Sequence, residues 1–315
     1  MTDAVADNVV SESPQALWRH IWASGRLRAG GAVLLLILLS CVATLPLTLR
    51  HGNPLHYDSQ NSSLSRQAPQ AADLAHWFGM DLLGRSLLGR CMLGGAISLG
   101  VGLAAAVISV VLGLGVGLLA GYRGGWIDAL LMRTVDVLYG LPYILLVILL
   151  KIALERPLGL IMSPMASNLT VLFLAIGLVS WLTMARVVRG QVLSLRNQPF
   201  IEAARAAGLT EWRIFFGHLL PNLIGPVIVY ATLIVPQAIL QESFLSFLGI
   251  GVQQPLPTWG SLAAEGLMPA LNTVTSHWWL LVYPCVLLAI TLLSLNFLGD
   301  GLRDVFDPRR ESAKI

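Results

Sequence analysis

Residues 202–222 read EAARAAGLTEWRIFFGHLLPN, a polar, charged insert in an otherwise apolar chain. Long hydrophobic runs, 169–188 and 223–240, lie on either side of it. If those runs are membrane helices, the insert lies outside the bilayer. Its own punctuation divides it into two short helical pieces. Gln198-Pro199 starts the first, because a proline at the first helical position gives up an N–H that has no partner there anyway. Ala203, Ala204, Ala206 and Ala207 crowd small side chains onto that piece, so another surface can approach its backbone. Gly208 offers a left-handed C-terminal cap. Thr210 is placed to cap the second piece, which carries Trp212, Ile214, Phe215 and Phe216. Pro221 ends the polar segment. These residues alone read equally well as a plain connector between two membrane helices and as a docking element.

The composition favours a membrane protein. Apolar residues make up 56% of the 315 and charged residues only 12%, with a mean hydropathy of +0.73. A soluble chain carries about 25% charged residues. The net charge of +3 is small, so the expected partner is a lipid bilayer and not a nucleic acid. The only lysines are Lys151 and Lys314, and neither follows a glycine-rich loop. A phosphate-binding G-x-x-x-x-G-K-[ST] loop needs its lysine to reach the phosphates, so no ATPase site is expected in this chain. Cys41, Cys91 and Cys285 show no C-x-x-C spacing, and neither a disulfide framework nor a metal site is indicated. The six histidines are scattered.

A bilayer core of about 30 Å takes roughly 20 apolar helical residues. Six runs qualify: 31–49, 93–121, 137–154, 169–188, 223–245 and 279–298. Gly140-Leu141-Pro142 should bend the third. Residues 1–29 form an N-terminal tail in which Leu17, Ile21 and Trp22, with Arg19, Arg26 and Arg28 nearby, suit either an interfacial helix or a basic flank. Residues 30–300 are the transmembrane domain, with 196–222 as its main loop, and 301–315 a C-terminal tail. Arginine placement orients the bundle. Arg123, Arg133, Arg186, Arg189, Arg196, Arg205, Arg213, Arg303, Arg309 and Arg310 join the N-terminal arginines on one side of a six-span chain. The positive-inside rule makes that side, and both termini, cytoplasmic. Arg50, Arg66, Arg85, Arg90, Lys151 and Arg156 fall to the other side.

Gly113, Gly117 and Gly121 recur at spacing four and read as a close helix–helix contact. Asp128, Asp136, Glu242 and Asp300 all sit near span ends. An uncompensated charge at mid-bilayer costs at least about 2.5–3.5 kcal/mol, which ion-coupled carriers accept to build a coupling site. The placement of these four argues against such a carrier. A membrane enzyme would need clustered nucleophile, base or metal ligands, and no such cluster is evident. Residues 249–277, rich in Pro255, Pro257, Trp259 and Gly260, read equally as a contact for an outer partner and as a packed cap on the last two spans.

The pattern E-A-A, three residues, G, nine residues, x-x-L-P resembles the EAA loop of ABC-importer permeases. Glu202, Ala203, Ala204, Gly208, Leu220 and Pro221 fit it, and His218 replaces the usual isoleucine. Residues 76–103 resemble the G-T-D-x-x-G-R-D motif and following helix of the dipeptide and oligopeptide permease class. Gly79, Asp81, Gly84 and Arg85 fit, while Met80 and Ser86 depart from the usual threonine and aspartate. Residues 177–195, 242–262 and 296–309 are similar to the C subunits of oligopeptide permeases, and the likeness runs from about 29 to 310.

The resemblance implies an all-α polytopic membrane protein with the six-span type I ABC-importer permease fold. A cytoplasmic coupling helix would lie between spans four and five. It implies an ATPase-coupling set of Glu202, Ala203, Ala204, Arg205, Gly208, Leu209, Leu220 and Pro221, with Glu202 held by hydrogen bonds or an arginine. It implies a homologous second permease, two ABC ATPase subunits that bind ATP and Mg, and an extracytoplasmic peptide-binding protein, in the bacterial inner membrane. This chain would itself hold no cofactor. Oligopeptides or dipeptides are the expected ligands. A nickel chelate, glutathione or an antimicrobial peptide is the alternative within the class, and an ion-coupled carrier the alternative outside it.

Overall fold

A computed structural model describes residues 25–71 and 73–306. Most of the expected interfacial helix and the end of the C-terminal tail lie outside them. Apolar runs become helices here because a helix satisfies every backbone polar group within one segment, as a lipid environment demands. Helix α1 is Gly25–Leu49, α2 Leu87–Arg123, α3 Gly125–Tyr139, α4 Tyr143–Gly159 and α5 Pro164–Leu195. Two short helices follow, α6 at Pro199–Ala206 and α7 at Glu211–Ile214. Then come α8 at Leu220–Phe247, α9 at Trp259–Ala270 and α10 at Trp279–Phe306. Five helices are long and apolar enough to cross a membrane, and α3 with α4 makes a sixth if the pair is one span.

That pair shows where the expected third span differs. The break falls at Gly140-Leu141-Pro142, as the sequence suggests, but α3 and α4 diverge by 99°. Pro142 has extended backbone (ψ 124°), and a proline disfavours helical geometry in the residue before it. Residues 137–139 therefore finish α3, and the apolar run resumes in α4, whose 17 residues make a span only together with α3.

The long α2 is the axis of the bundle, with α5 packed most extensively against it and α8 next. The glycine stripe makes this possible. A Cβ at Gly113 would meet Met184 at 2.5 Å, one at Gly117 the Ala185 carbonyl at 2.6 Å, and one at Gly121 Val192 at 2.8 Å. All three contacts lie on α5. Gly115, between them, has nothing within 4 Å. Gly117→Val should therefore separate α2 from α5 and cost about 1–3 kcal/mol. Gly115→Ala should be neutral or slightly stabilising, since alanine is the better helix former. Heat unfolding of the two purified variants tests this, and equal midpoints would refute close packing as the role of the stripe. Helix α1 packs on α10, with Gly30 against Phe297 and Gly301 against Leu27. Leu35, Leu36, Leu39 and Val42 of α1 face outward, a surface suited to lipid.

At the end of the bundle that holds the start of α2, the segment 79–86 is a compact polar turn. Asp81 Oδ1 accepts from the amides of Leu83 (2.8 Å) and Arg85 (2.9 Å). Gly84 closes the turn at φ +70°, where an added Cβ would fall onto the Asn61 carbonyl. Asp81 Oδ2 accepts from Arg85 Nε (2.7 Å) and Arg90 Nη1 (2.8 Å). Arg90 reaches on to Glu265 of α9 with two bonds, 2.6 and 3.2 Å. The two departures in this motif have simple places. Ser86 caps α2 by accepting from Gly89 N (3.4 Å) and donates to the Ala75 carbonyl (2.7 Å), a role serine and aspartate share at helix starts. Met80 is buried with Leu55 and Ala75.

Of residues 249–277, those around Trp259–Gly266 pack into the bundle, whereas 271–276 are exposed and leave room for an outer partner. Trp259 is fully buried and its Nε1 donates to the Cys91 carbonyl (3.0 Å). Lys151, which the sequence places among the charges of this side, is buried and donates to the carbonyls of Ile250 and Gly251. Glu242 corrects the sequence reading more sharply. It lies near the end of α8 but is completely enclosed. Its carboxylate accepts from Ser246 (2.6 Å) and from Ser98 of α2 (3.2 Å). These hydroxyls replace the water that a carboxyl group loses on burial, so for Glu242 a place near a span end is no argument against ion coupling.

Candidate functional site

The opposite end of the bundle carries the insert. Pro199 is the first residue of α6, with Gln198 as its N-cap. The helix ends in a Schellman motif. Gly208 sits at φ +77°, its N–H donates to the Arg205 carbonyl (2.9 Å), and the Leu209 N–H donates to the Ala204 carbonyl (3.2 Å). The hydrophobic contact that accompanies this motif is present too. Leu209 packs on a small core of Ile201, Ala204 and Ile214, so the insert has an interior of its own. Ala203, Ala206 and Ala207 remain exposed, as do Glu202 and Arg205.

The second half differs from the sequence reading in two ways. Thr210 occupies the N-cap of α7, but its side chain makes no capping bond. And α7 is not separate. It runs through a π-helical turn, Phe215–Leu219, directly into α8, with the Leu220 N–H bonded to the Phe215 carbonyl. Pro221 explains the widening: it has no N–H to return to the residue four before it, and its ring crowds that carbonyl. Leu220 and Pro221 therefore belong to the first turn of the crossing helix. Any push on α7 is delivered to α8 through continuous backbone.

Glu202 is exposed and makes no side-chain hydrogen bond or ion pair among the described residues. The partner of Arg205 is Glu211 (3.3 Å), and Glu211 also accepts from the Tyr122 hydroxyl at the end of α2. Arg196 donates to the Gly121 carbonyl (3.0 Å). Next to these, Arg189 of α5 grips Asp128 of α3 with two bonds, 2.5 and 2.7 Å. Arg186 donates to Asp136 (2.8 Å) and lies over the Tyr139 ring at 4.0 Å. Reading the sequence treated these arginines as markers of orientation and missed their partners, which lie 50 and 61 positions away.

The insert also presents aromatic surface. Trp212 is 73% exposed and Phe216 56%, and their rings stack at 5.7 Å. Phe215 ties this pair to the bundle through an edge contact with Tyr122 at 5.5 Å. Small side chains on α6 beside exposed aromatics on α7 make a shallow surface that another folded protein can cover. Among the described residues no cluster of three or more metal-ligand side chains exists.

Comparison with known proteins places this arrangement. The family model described as "Binding-protein-dependent transport system inner membrane component" matches residues 113–312. The chain is 42% identical over 302 residues to the oligopeptide transport system permease protein OppC of Escherichia coli K12, covering 95% of each. It is 40% identical to the dipeptide transport system permease protein DppC of Bacillus subtilis, covering 94% of this chain and 85% of that protein. A chain from inward-facing structures of the MetNI methionine ABC transporter shares the fold, with a TM-score of 0.55 at 22% identity over 67% of this chain and 94% of that one. With the family model matching residues 113–312 and these relatives covered over 85% and 95% of their length, this chain belongs to the binding-protein-dependent transport system inner membrane components.

Proposed function

We propose that this chain is one of two transmembrane permease subunits in an ATP-driven, binding-protein-dependent importer of oligopeptides or dipeptides. The observation that carries the reading is the Schellman-closed insert, joined without a break to α8, in a chain similar over nearly its whole length to peptide-transport permeases. Glu202, Ala203, Ala204, Arg205, Gly208, Leu209, Leu220 and Pro221 form the surface and backbone that meet an ATPase subunit. To them we add Glu211 and Trp212. ATP and Mg bind on two partner ATPases. A homologous second permease completes the path, and an extracytoplasmic binding protein delivers the peptide to the side of the packed cap. Both termini face the cytoplasm, on the side of the insert. Nucleotide must bind one conformation of the complex more tightly than the other, or it shifts nothing. The α7–π–α8 continuity lets a rigid helix carry that difference into the membrane.

Purification of the chain from its native membrane tests the assembly. A second permease, P-loop ATPases and a peptide-binding protein should co-purify, and the reconstituted complex should import labelled trialanine only with ATP. A chain recovered alone that still transports without ATP would overturn the reading.

A further inference from the structure

Between the α3–α4 break, α5 and α8 lies a cavity of about 400 Å³. Its polar lining is Tyr139, Tyr143, Ser180, Thr183, Gln237 and Gln241. None of the six carries a charge. Tyr143 Oη and Gln241 Oε1 are buried yet have no hydrogen bond of good geometry among the described residues. The Ser180 hydroxyl beside Tyr143 donates to the Ile176 carbonyl (2.8 Å) and keeps its oxygen to accept. Both residues line the cavity, and Gln241 keeps an amide N–H2 as well as its oxygen, so the uncharged wall has hydrogen-bonding capacity that the chain itself does not use up.

Position supports this. Ser180 is midway along α5 (Pro164–Leu195), and Gln237 lies in the middle part of α8 (Leu220–Phe247), so the cavity is near half depth. Thr183 and Gln237 are nonetheless exposed, a poor surface to offer lipid. The broken backbone at 139–143 is likewise tolerated at membrane depth only against protein or a water-filled space.

We propose that this cavity binds the main-chain amides of a peptide in transit; the inference rests on the importer reading above. Glutamine amides and hydroxyls both donate and accept, as a peptide backbone requires. Gln237 and Gln241 are one helical turn apart, about 5.4 Å, close to the roughly 6.5 Å between residues i and i+2 of an extended chain. Same-side groups of one peptide can meet both. Binding through the main chain is indifferent to side-chain type, and neutral, multiple contacts let the peptide leave again. Arg186, whose guanidinium lies over the Tyr139 ring, is already paired with Asp136.

The test uses the complete complex in proteoliposomes, with trialanine as the probe and the three native cysteines replaced by alanine. Thr183→Cys and Gln237→Cys should react with a charged, water-soluble maleimide during turnover, and trialanine should slow that labelling at least fivefold. Gln237→Leu with Gln241→Leu should lower trialanine uptake about tenfold while the amount of assembled complex, read by co-purification of the partner subunits, stays within twofold of wild type. Labelling without protection, or no labelling in any state, would overturn the site: the first makes it a water-filled space without peptide, the second a face covered by lipid or by the second permease. Wild-type complex that imports no peptide would overturn the importer reading and this inference together, whereas wild-type uptake with unprotected cysteines overturns the inference alone.

Discussion

Gly208→Val should abolish most ATP-driven uptake while leaving a folded, membrane-inserted subunit. Gly208 holds φ +77°, a region that costs an ordinary side chain roughly 1–2 kcal/mol and a β-branched one more. An added Cβ has nothing within 4 Å to collide with, so the whole penalty falls on the backbone. The chain escapes it by rotating out of the left-handed region. That breaks the Gly208–Arg205 and Leu209–Ala204 hydrogen bonds and draws Leu209 away from Ile201, Ala204 and Ile214. Each 1.4 kcal/mol is a factor of ten in the population of the competent loop. Uptake should therefore fall at least tenfold, with basal ATP hydrolysis by the partner subunits retained.

The companion substitution separates backbone from surface. Asparagine tolerates the left-handed region, so Gly208→Asn should keep half or more of the uptake. Normal transport by the valine variant would sink the coupling role of the loop. Equal loss in both variants would mean that a partner surface lies against this position and needs its bareness. Glu211→Gln offers a milder contrast. Its link to Arg205 is exposed and worth no more than about 1 kcal/mol, so uptake should drop less than fivefold.

Much of this could be read from the chain because it is local. Gln198-Pro199, the alanines and Gly208 specify the start, face and end of α6 within eleven residues, and the structure reproduces each. The six apolar runs are legible for the same reason, since a crossing helix satisfies itself. What failed to show is what depends on contacts between distant segments. The 99° turn at Gly140-Leu141-Pro142 was expected only as a bend, because its size is set by what α3 and α4 pack against. Glu242 looks like a span-end acid until Ser98, 144 positions away, is brought beside it. The E-A-A pattern drew attention to Glu202, which is exposed, and not to Glu211, whose partner Tyr122 is 89 positions off. Local pattern identifies the element; long-range pairing decides which of its side chains bear load.

Arg90 is a further case of this, since it joins α2 to Glu265 across 175 positions. Arg90→Leu should lower the heat-unfolding midpoint of the purified complex by on the order of 10 °C. The guanidinium is 1% exposed and serves two carboxylates, Asp81 and Glu265. Removing one member of a buried ion pair costs about 3–5 kcal/mol, chiefly because the remaining charge is stranded. Asp81 is partly protected, as it keeps Arg85 and two backbone amides. Glu265 has less. Gln254 still donates to it (3.2 Å), but Arg85 approaches only to 3.9 Å. The damage should therefore appear as loosening of α9 from α2, at the end of the bundle away from the insert. Glu265→Gln should cost much less, because a neutral amide still accepts from Arg90. Arg90→Leu combined with Glu265→Leu should recover part of the loss, because no carboxylate is then stranded on α9. An Arg90→Leu midpoint equal to wild type would show that water reaches this network and that the clamp contributes nothing. A double variant no better than the single one would assign the loss to packing around α2 and remove charge from the account.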